Sequence, residues 1–446
     1  MTTDAWLPLF LGYLIPIGFF LLAWGGLEPG RSRRAAVQGL VALALATLGY
    51  FATGFAFHLG GAGVVSDLPG LAGLDALVGY RVEAGLYWGF LGLDGFLLLG
   101  DAATPQALLL FTTYLPMIAV AVLLPTLSLS RRGGGRVAAL LGLLTSLLIF
   151  PLAACWAWGG GWLATLGRTM GWGHGFVDYA GSGVVFLLGG ALSLGGLLAV
   201  GRREPQEGPA EMPPAHFPLL ANLGVLLATT GWIGWSLGTP FHVADARLLP
   251  ARTVVNGLMG VAGATLASSL YCWLALGRSD PLMVARGAAS GLVAIAAGAP
   301  FLPPWAALTV GAVAGLLLPP GVYLIERLLR LDDSVAAVPI GLLSGLWGLL
   351  SVALFADGLA GQGWNGVGSE TYRQIAGQGV TGFLAAPGML GDGPGQALAQ
   401  LTGVGALLLL GVGGGWLVSR IGTALGGREE PESQKKRNEG QDAEQI

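Results

Sequence analysis

No soluble fold accommodates a chain whose apolar runs keep returning at bilayer length. A helix needs roughly 20 apolar residues to cross a hydrocarbon core, and windows of that size place spans at about 6–27, 37–58, 106–128, 137–157, 176–200, 217–238, 250–276, 283–299, 305–327, 336–356 and 396–420. The expectation is an all-α integral membrane protein with eleven transmembrane helices. Charge agrees: Asp, Glu, Lys and Arg make up 11% of the chain, against about 25% in soluble domains. A net charge of −3 gives no reason to expect nucleic acid or another highly charged partner. The 77 glycines sit largely inside apolar runs, where they let helices approach closely in lipid.

Basic residues set the topology, because short cytoplasmic loops are enriched in Lys and Arg. With eleven spans and the N-terminus outside, the inner loops and tail collect seventeen of the 22 Lys and Arg, including Arg131, Arg132, Arg136, Arg202, Arg203, Arg327 and Arg330. Arg81, Arg168, Arg247, Arg252 and Arg373 fall outside. A twelfth span over 84–100, interrupted by Asp94, would move the cluster at Arg131–Arg136 to the wrong side. Residues 59–105 are therefore expected as a long outer loop with an interfacial helix. The Gly-rich outer segment 357–395 suggests no regular structure. The inner segment 201–216, GRREPQEGPAEMPPAH, has the Pro and charge content of a linker. It divides the chain into five spans, five spans and one extra, and an odd number per half turns the halves over, as in an inverted repeat. Residues 1–425 form the membrane domain and 426–446 a polar cytoplasmic tail. The start, MTTDAWLPLF, carries Asp4 and no basic region, so it reads as the first span rather than a signal peptide. Cys155 and Cys272 lie in apolar runs and are expected as buried thiols without a disulfide.

One carboxylate stands out. Asp178 opens the apolar, Gly-rich run from Phe176, and a lone carboxylate entering such a span must hold backbone donors or face a polar vestibule. The plain alternative is a Gly-rich packing helix with an interfacial Asp.

The block Trp158-Gly159-Gly160-Gly161 followed by Asp178-Tyr179-Ala180-Gly181-Ser182-Gly183-Val184-Val185 resembles the signature of the ammonium transporter/Rhesus family. IPIGFFLLAWGGL and GYFATGFAF resemble its first two helices, Gly231-Trp232-Ile233-Gly234-Trp235-Ser236 its sixth-helix motif, and ERLLRLDDSVAAVPIGLLSGLWG its tenth-helix motif. The resemblance implies an ammonium/ammonia pore in each subunit of a homotrimer in the plasma membrane. It implies an external cation-recruitment site at Phe111, Trp158, Asp178, Trp235, Ser236 and Thr239. Trp158, Phe111 and Trp235 would offer cation–π faces, Ser236 and Thr239 hydroxyl acceptors, and Asp178 would orient backbone at the site. The same residues also fit an ordinary aromatic belt. The family's nitrogen-regulatory partner docks on a cytoplasmic face and tail, and this tail carries no match to it.

The pore departs from the pattern. Where the family has twin histidines, this chain has Phe186 and Gly341, and the inner of two stacked pore phenylalanines falls on Leu115. The four histidines, His58, His174, His216 and His242, all fall at span ends or in loops, so no one-residue slip of register restores a pair in the pore, and each is expected as a solvated or interfacial imidazole. Phe186 and Gly341 can neither accept nor relay a proton. Two further readings follow: a transport-deficient pseudo-transporter acting as an ammonium sensor or scaffold, and a channel for another small neutral molecule. No nucleotide, metal, cofactor or covalent-catalysis motif is present, so an enzyme is not expected.

Overall fold

A computed structural model describes residues 6–66, 68–83, 86–203, 216–238 and 249–426. The membrane body is helical: α1 Leu7–Gly26, α2 Pro29–Val65, α3 Pro105–Ser128, α4 Gly134–Ala157, α5 Ser182–Val200, α6 Pro218–Gly238, α7 Pro250–Leu276, α8 Pro281–Ile295, α9 Pro304–Leu328, α10 Val338–Phe355 and α11 Gly393–Leu425. Ten of these, among the described residues, are long and apolar enough to cross a bilayer; α8 is the exception. The expected eighth span at 283–299 is a helix of 15 residues followed by turns through Phe301. The cause is local: Pro300, Pro303 and Pro304 remove backbone donors and push their predecessors out of the helical region.

Segment 59–105 is a second correction. It holds an antiparallel hairpin, β1 Leu77–Glu83 with β2 Leu86–Gly92, in place of the expected interfacial helix. Tyr80 pairs across the hairpin with Trp88 and Val78 with Leu91, and β-branched and aromatic residues suit a pleated surface. Gly89 bridges to Gly161, and Trp162 N–H donates to the Gly89 carbonyl at 2.9 Å. Segment 357–395 is mostly irregular, with one short turn at Trp364–Gly366 and a minimal hairpin, β3 Thr371–Tyr372 with β4 Ile375–Ala376.

Groups assigned by sequence to one side meet one another. Arg131 pairs with Asp332 at 2.9 Å, and Arg203 reaches Asp332 at 3.6 Å and Glu326 at 3.8 Å. At the opposite end Arg168 faces Glu83 at 3.9 Å, and Asn365 Nδ2 donates to the carbonyls of His174 and Phe176. Cys155 and Cys272 are buried free thiols.

Helices α5 and α10 form the centre and begin alike. The Asp178 carboxylate accepts the N–H groups of Gly183 at 3.0 Å and Val184 at 2.8 Å. Asp333 accepts those of Ala337 at 3.0 Å and Val338 at 2.8 Å, plus the Ser128 hydroxyl at 2.8 Å. Each aspartate thus satisfies donors that a buried helix start would otherwise leave unpaired. A π-helical stretch follows each, Ser182–Leu187 and Val338–Leu343. Eight positions beyond each aspartate stand Phe186 and Gly341. The two helices cross in close contact: a Cβ on Gly190 would lie 2.2 Å from Leu342 N, and one on Gly341 2.6 Å from the Phe186 carbonyl oxygen. Only glycine fits there.

Candidate functional site

Aspartate 178 is held in place from three directions. Upstream, two glutamines one turn apart on α11 grip the incoming strand of chain. Gln396 Nε2 donates to Gly175 O and its Oε1 accepts from His174 N–H, while Gln400 accepts from Val177 N–H and donates to Val177 O. Downstream, Gly181 takes φ +90°, a left-handed turn that costs glycine little and aims the backbone N–H groups at the carboxylate. Laterally, Trp158 Nε1 donates to the Asp178 carbonyl at 2.7 Å, and Tyr179 hydroxyl to the Ser236 carbonyl at 2.7 Å. Asp178 is 1% exposed, and its Oδ1 has no hydrogen-bond partner among the described residues.

Around Trp158 the aromatic rings converge. Tyr114 stacks on it at 5.7 Å, Trp235 lies tilted at 6.4 Å and His58 at 6.3 Å. Tyr114 also meets Trp235 at 6.2 Å and His58 at 4.7 Å. The Trp235 indole donates to the Thr113 carbonyl at 2.8 Å, tying α6 to α3. Within this group Tyr114, Trp235, His58, Asp178 and Ser236 are buried and Trp158 is partly exposed. The rings present π faces suited to a cation, and with Trp158 nearest the solvent.

Four of the sequence-selected residues, Trp158, Asp178, Trp235 and Ser236, therefore share one place. Phe111 does not join them. It stacks on Tyr50 at 5.3 Å and meets Phe51 and Phe55 of α2, while Tyr114, one turn further along α3, occupies the aromatic group. Leu115 is partly exposed and follows Phe111 at four-residue spacing, so it shares that face of α3 rather than the inner one. Thr239 lies outside the described residues, as do the linker at 204–215, the tail at 427–446 and His242.

Two histidines overturn the expectation of solvated imidazoles. His58 and His174 are fully buried, whereas His216 is partly exposed. The sequence signal for His58 was faint: it closes an apolar run, and only the folding back of α2 against α3 and α4 encloses it. Tyr114, Tyr50, Gln396 and Gln400 were likewise not singled out, although paired glutamines one turn apart in an apolar helix are a readable signal for bonds to a neighbour.

Phe186 is 0% exposed and packs on Phe19 at 5.3 Å. Phe19 also lines a cavity of about 20 Å³, together with Leu22, Ala23, Leu123, Leu124, Leu127, Val335 and Ile340. That is room for about one water, but a water needs two to four polar partners, and this lining offers none. Gly341 lies at the level of Phe186, its Cα against the Phe186 carbonyl. Among the described residues no group of three or more His, Cys, Asp or Glu is placed to hold a metal ion.

Comparison with known proteins gives a consistent result. The family model described as Ammonium Transporter Family matches residues 5–429. Ammonium transporter Amt2 of Archaeoglobus fulgidus is 30% identical over 357 residues, covering 79% of this chain and 70% of that protein. Among solved structures, one titled Sensor Amt Protein superposes with a TM-score of 0.75 at 22% identity, over 96% of this chain and 94% of that one. Mep2 of Candida albicans superposes with a TM-score of 0.71 at 21% identity, over 92% and 81%. At these identities the structural likenesses show the shared fold.

Proposed function

The chain belongs to the ammonium transporter family, a family of multi-pass membrane transporters rather than enzymes, and from that premise we propose that it passes ammonium nitrogen across the membrane as neutral ammonia. The cation is recruited among Trp158, Tyr114 and Trp235, beside Asp178 and Ser236. Neutral ammonia alone continues past Phe186. The observation that carries this reading is the buried Phe186 packed on Phe19, itself part of the wholly apolar lining of a small cavity. An ion entering that lining loses its hydration without compensation, a cost of several kcal/mol or more, whereas neutral ammonia forfeits far less.

Cation–π contacts worth ~0.5–2 kcal/mol each support recruitment at the rings. Asp178 shapes the site by holding the Gly183 and Val184 N–H groups on its Oδ2. The matched construction of α5 and α10, each with an aspartate, a π-helical stretch and a pore-level residue eight positions on, supports a five-plus-five inverted repeat with one added helix. The distribution of Arg supports an outer N-terminus and a cytoplasmic C-terminus in the plasma membrane, and glycine-rich spans support a homotrimer with one pore per subunit.

The test is growth and flux. Expressed in cells lacking ammonium uptake, the protein should restore growth at low external ammonium, and purified in liposomes it should alkalinise the lumen on an inward ammonia gradient. A lumen that stays at the rate of protein-free liposomes would contradict the proposal.

A further inference from the structure

We infer that His58 is the residue that meets ammonium at the outer end of the path, with Nε2 accepting a hydrogen bond from the cation. The inference rests on the transport reading above and names the polar contact that the aromatic faces leave unspecified. His58 sits on α2, fully buried, and its Nε2 has no hydrogen-bond partner among the described residues. Buried polar atoms are nearly always paired, so one left open among these aromatic side chains calls for a partner. The ring lies edge-to-face with Tyr114 at 4.7 Å and 6.3 Å from Trp158, within the group whose π faces attract cations.

The other ring nitrogen is already engaged. Nδ1 and the Tyr50 hydroxyl are 3.0 Å apart, which holds the imidazole in orientation. In the tautomer that donates from Nδ1 to the Tyr50 oxygen, Nε2 carries a lone pair. Ammonium has four directed N–H donors and potassium has none, so a fixed lone pair distinguishes two cations that π faces alone treat similarly. The indole N–H groups of Trp158 and Trp235 are donors already bonded to carbonyls, and donors do not accept from a cation. Asp178 Oδ1 and Ser236 Oγ are the other open buried acceptors near the rings. The contact is a hydrogen bond, and no proton changes hands in it.

The experiment uses the full chain in lipid nanodiscs with ¹⁵N-labelled histidine. Ammonium chloride should shift the Nε2 resonance of one of the four imidazoles, and potassium chloride at equal ionic strength should not. The resonance is assigned by its disappearance in His58→Asn, which keeps an amide near Nδ1 and deletes Nε2, or in His58→Gln if the first variant does not fold. In flux assays His58→Asn should raise the half-saturating methylammonium concentration about tenfold, and His58→Gln, whose amide oxygen reaches the place of Nε2, should recover part of that loss. An unmoved His58 resonance at saturating ammonium, or an equal shift with potassium, overturns the inference, the former pointing to Asp178 or Ser236 as the acceptor. Should the wild type bind ammonium at His58 yet carry no flux, the transport reading fails while this one stands.

Discussion

Trp158 joins two functions in one side chain: its N–H anchors the Asp178 carbonyl, and its faces meet Tyr114 and Trp235. Removing the ring deletes a cation–π contact worth ~0.5–2 kcal/mol, so Trp158→Ala should weaken external methylammonium binding by about 2- to 30-fold, read from the concentration dependence of uptake. Trp158→Phe keeps a face and loses the anchor, and should fall between. A second prediction concerns the pore. A Cβ at Gly341 would press within 2.6 Å of the Phe186 carbonyl oxygen, and such overpacking costs ~1–3 kcal/mol. The double change Phe186→His with Gly341→His should therefore unfold several degrees below Phe186→His alone and carry no ammonium current. A stable, conducting double variant would contradict the close crossing of α5 and α10. At this scale the sequence was informative where a motif fixed the register, as at Trp158, Asp178 and Trp235. It misled on α3, where Phe111 and Tyr114 are both aromatic, three positions apart, and only the packing of α2 against α3 decides which ring faces Trp158.

The elements outside the bilayer carry a pH dependence. His174 lies in the loop between α4 and α5, wholly buried, its ring 4.4 Å from that of Tyr372, with neither nitrogen paired among the described residues. Burial lowers its pKa to about 4 from an ordinary 6.5. The folded state thus resists a proton that the unfolded chain accepts. Its stability is whole above pH 6.5 and declines as pH falls toward 4, by about 2 kcal/mol at pH 5. Thermal unfolding in detergent should show a melting temperature that drops between pH 7 and pH 5, and His174→Phe should flatten that drop; an equal drop in the variant would remove His174 as its source. The loop matters to the site because Gln396 and Gln400 fasten it to α11 just before Asp178. The positions of the helices were legible from apolar runs, since lipid leaves a backbone little choice, but their lengths were not, as the 37 residues of α2 against the expected 37–58 show. The shortened α8 was legible only through its prolines, and the hairpin β1–β2 was hidden by an apolar run that mimics an interfacial helix.

For the whole molecule, the sequence carries sidedness more plainly than depth. The basic loops meet at one end through Arg131, Arg203 and Asp332, and the hairpin, the α4–α5 loop and segment 357–395 meet at the other. Cysteine placed at Ser66 should react with impermeant reagent from outside and one at Arg132 only from the cytoplasm, and native mass measurement in lipid should return a trimer; labelling of Ser66 from the cytoplasm would invert the assigned orientation. The proposed dry path rests on Phe186 and Gly341, both readable in the sequence, but the packing of Phe186 on Phe19 required the fold. The most direct test of that dry path records charge and alkalinisation together, in liposomes on a solid-supported membrane with a luminal pH dye. The account predicts luminal alkalinisation on an ammonium pulse with no current above protein-free liposomes, whereas a protein-dependent ammonium current that saturates with concentration would contradict it.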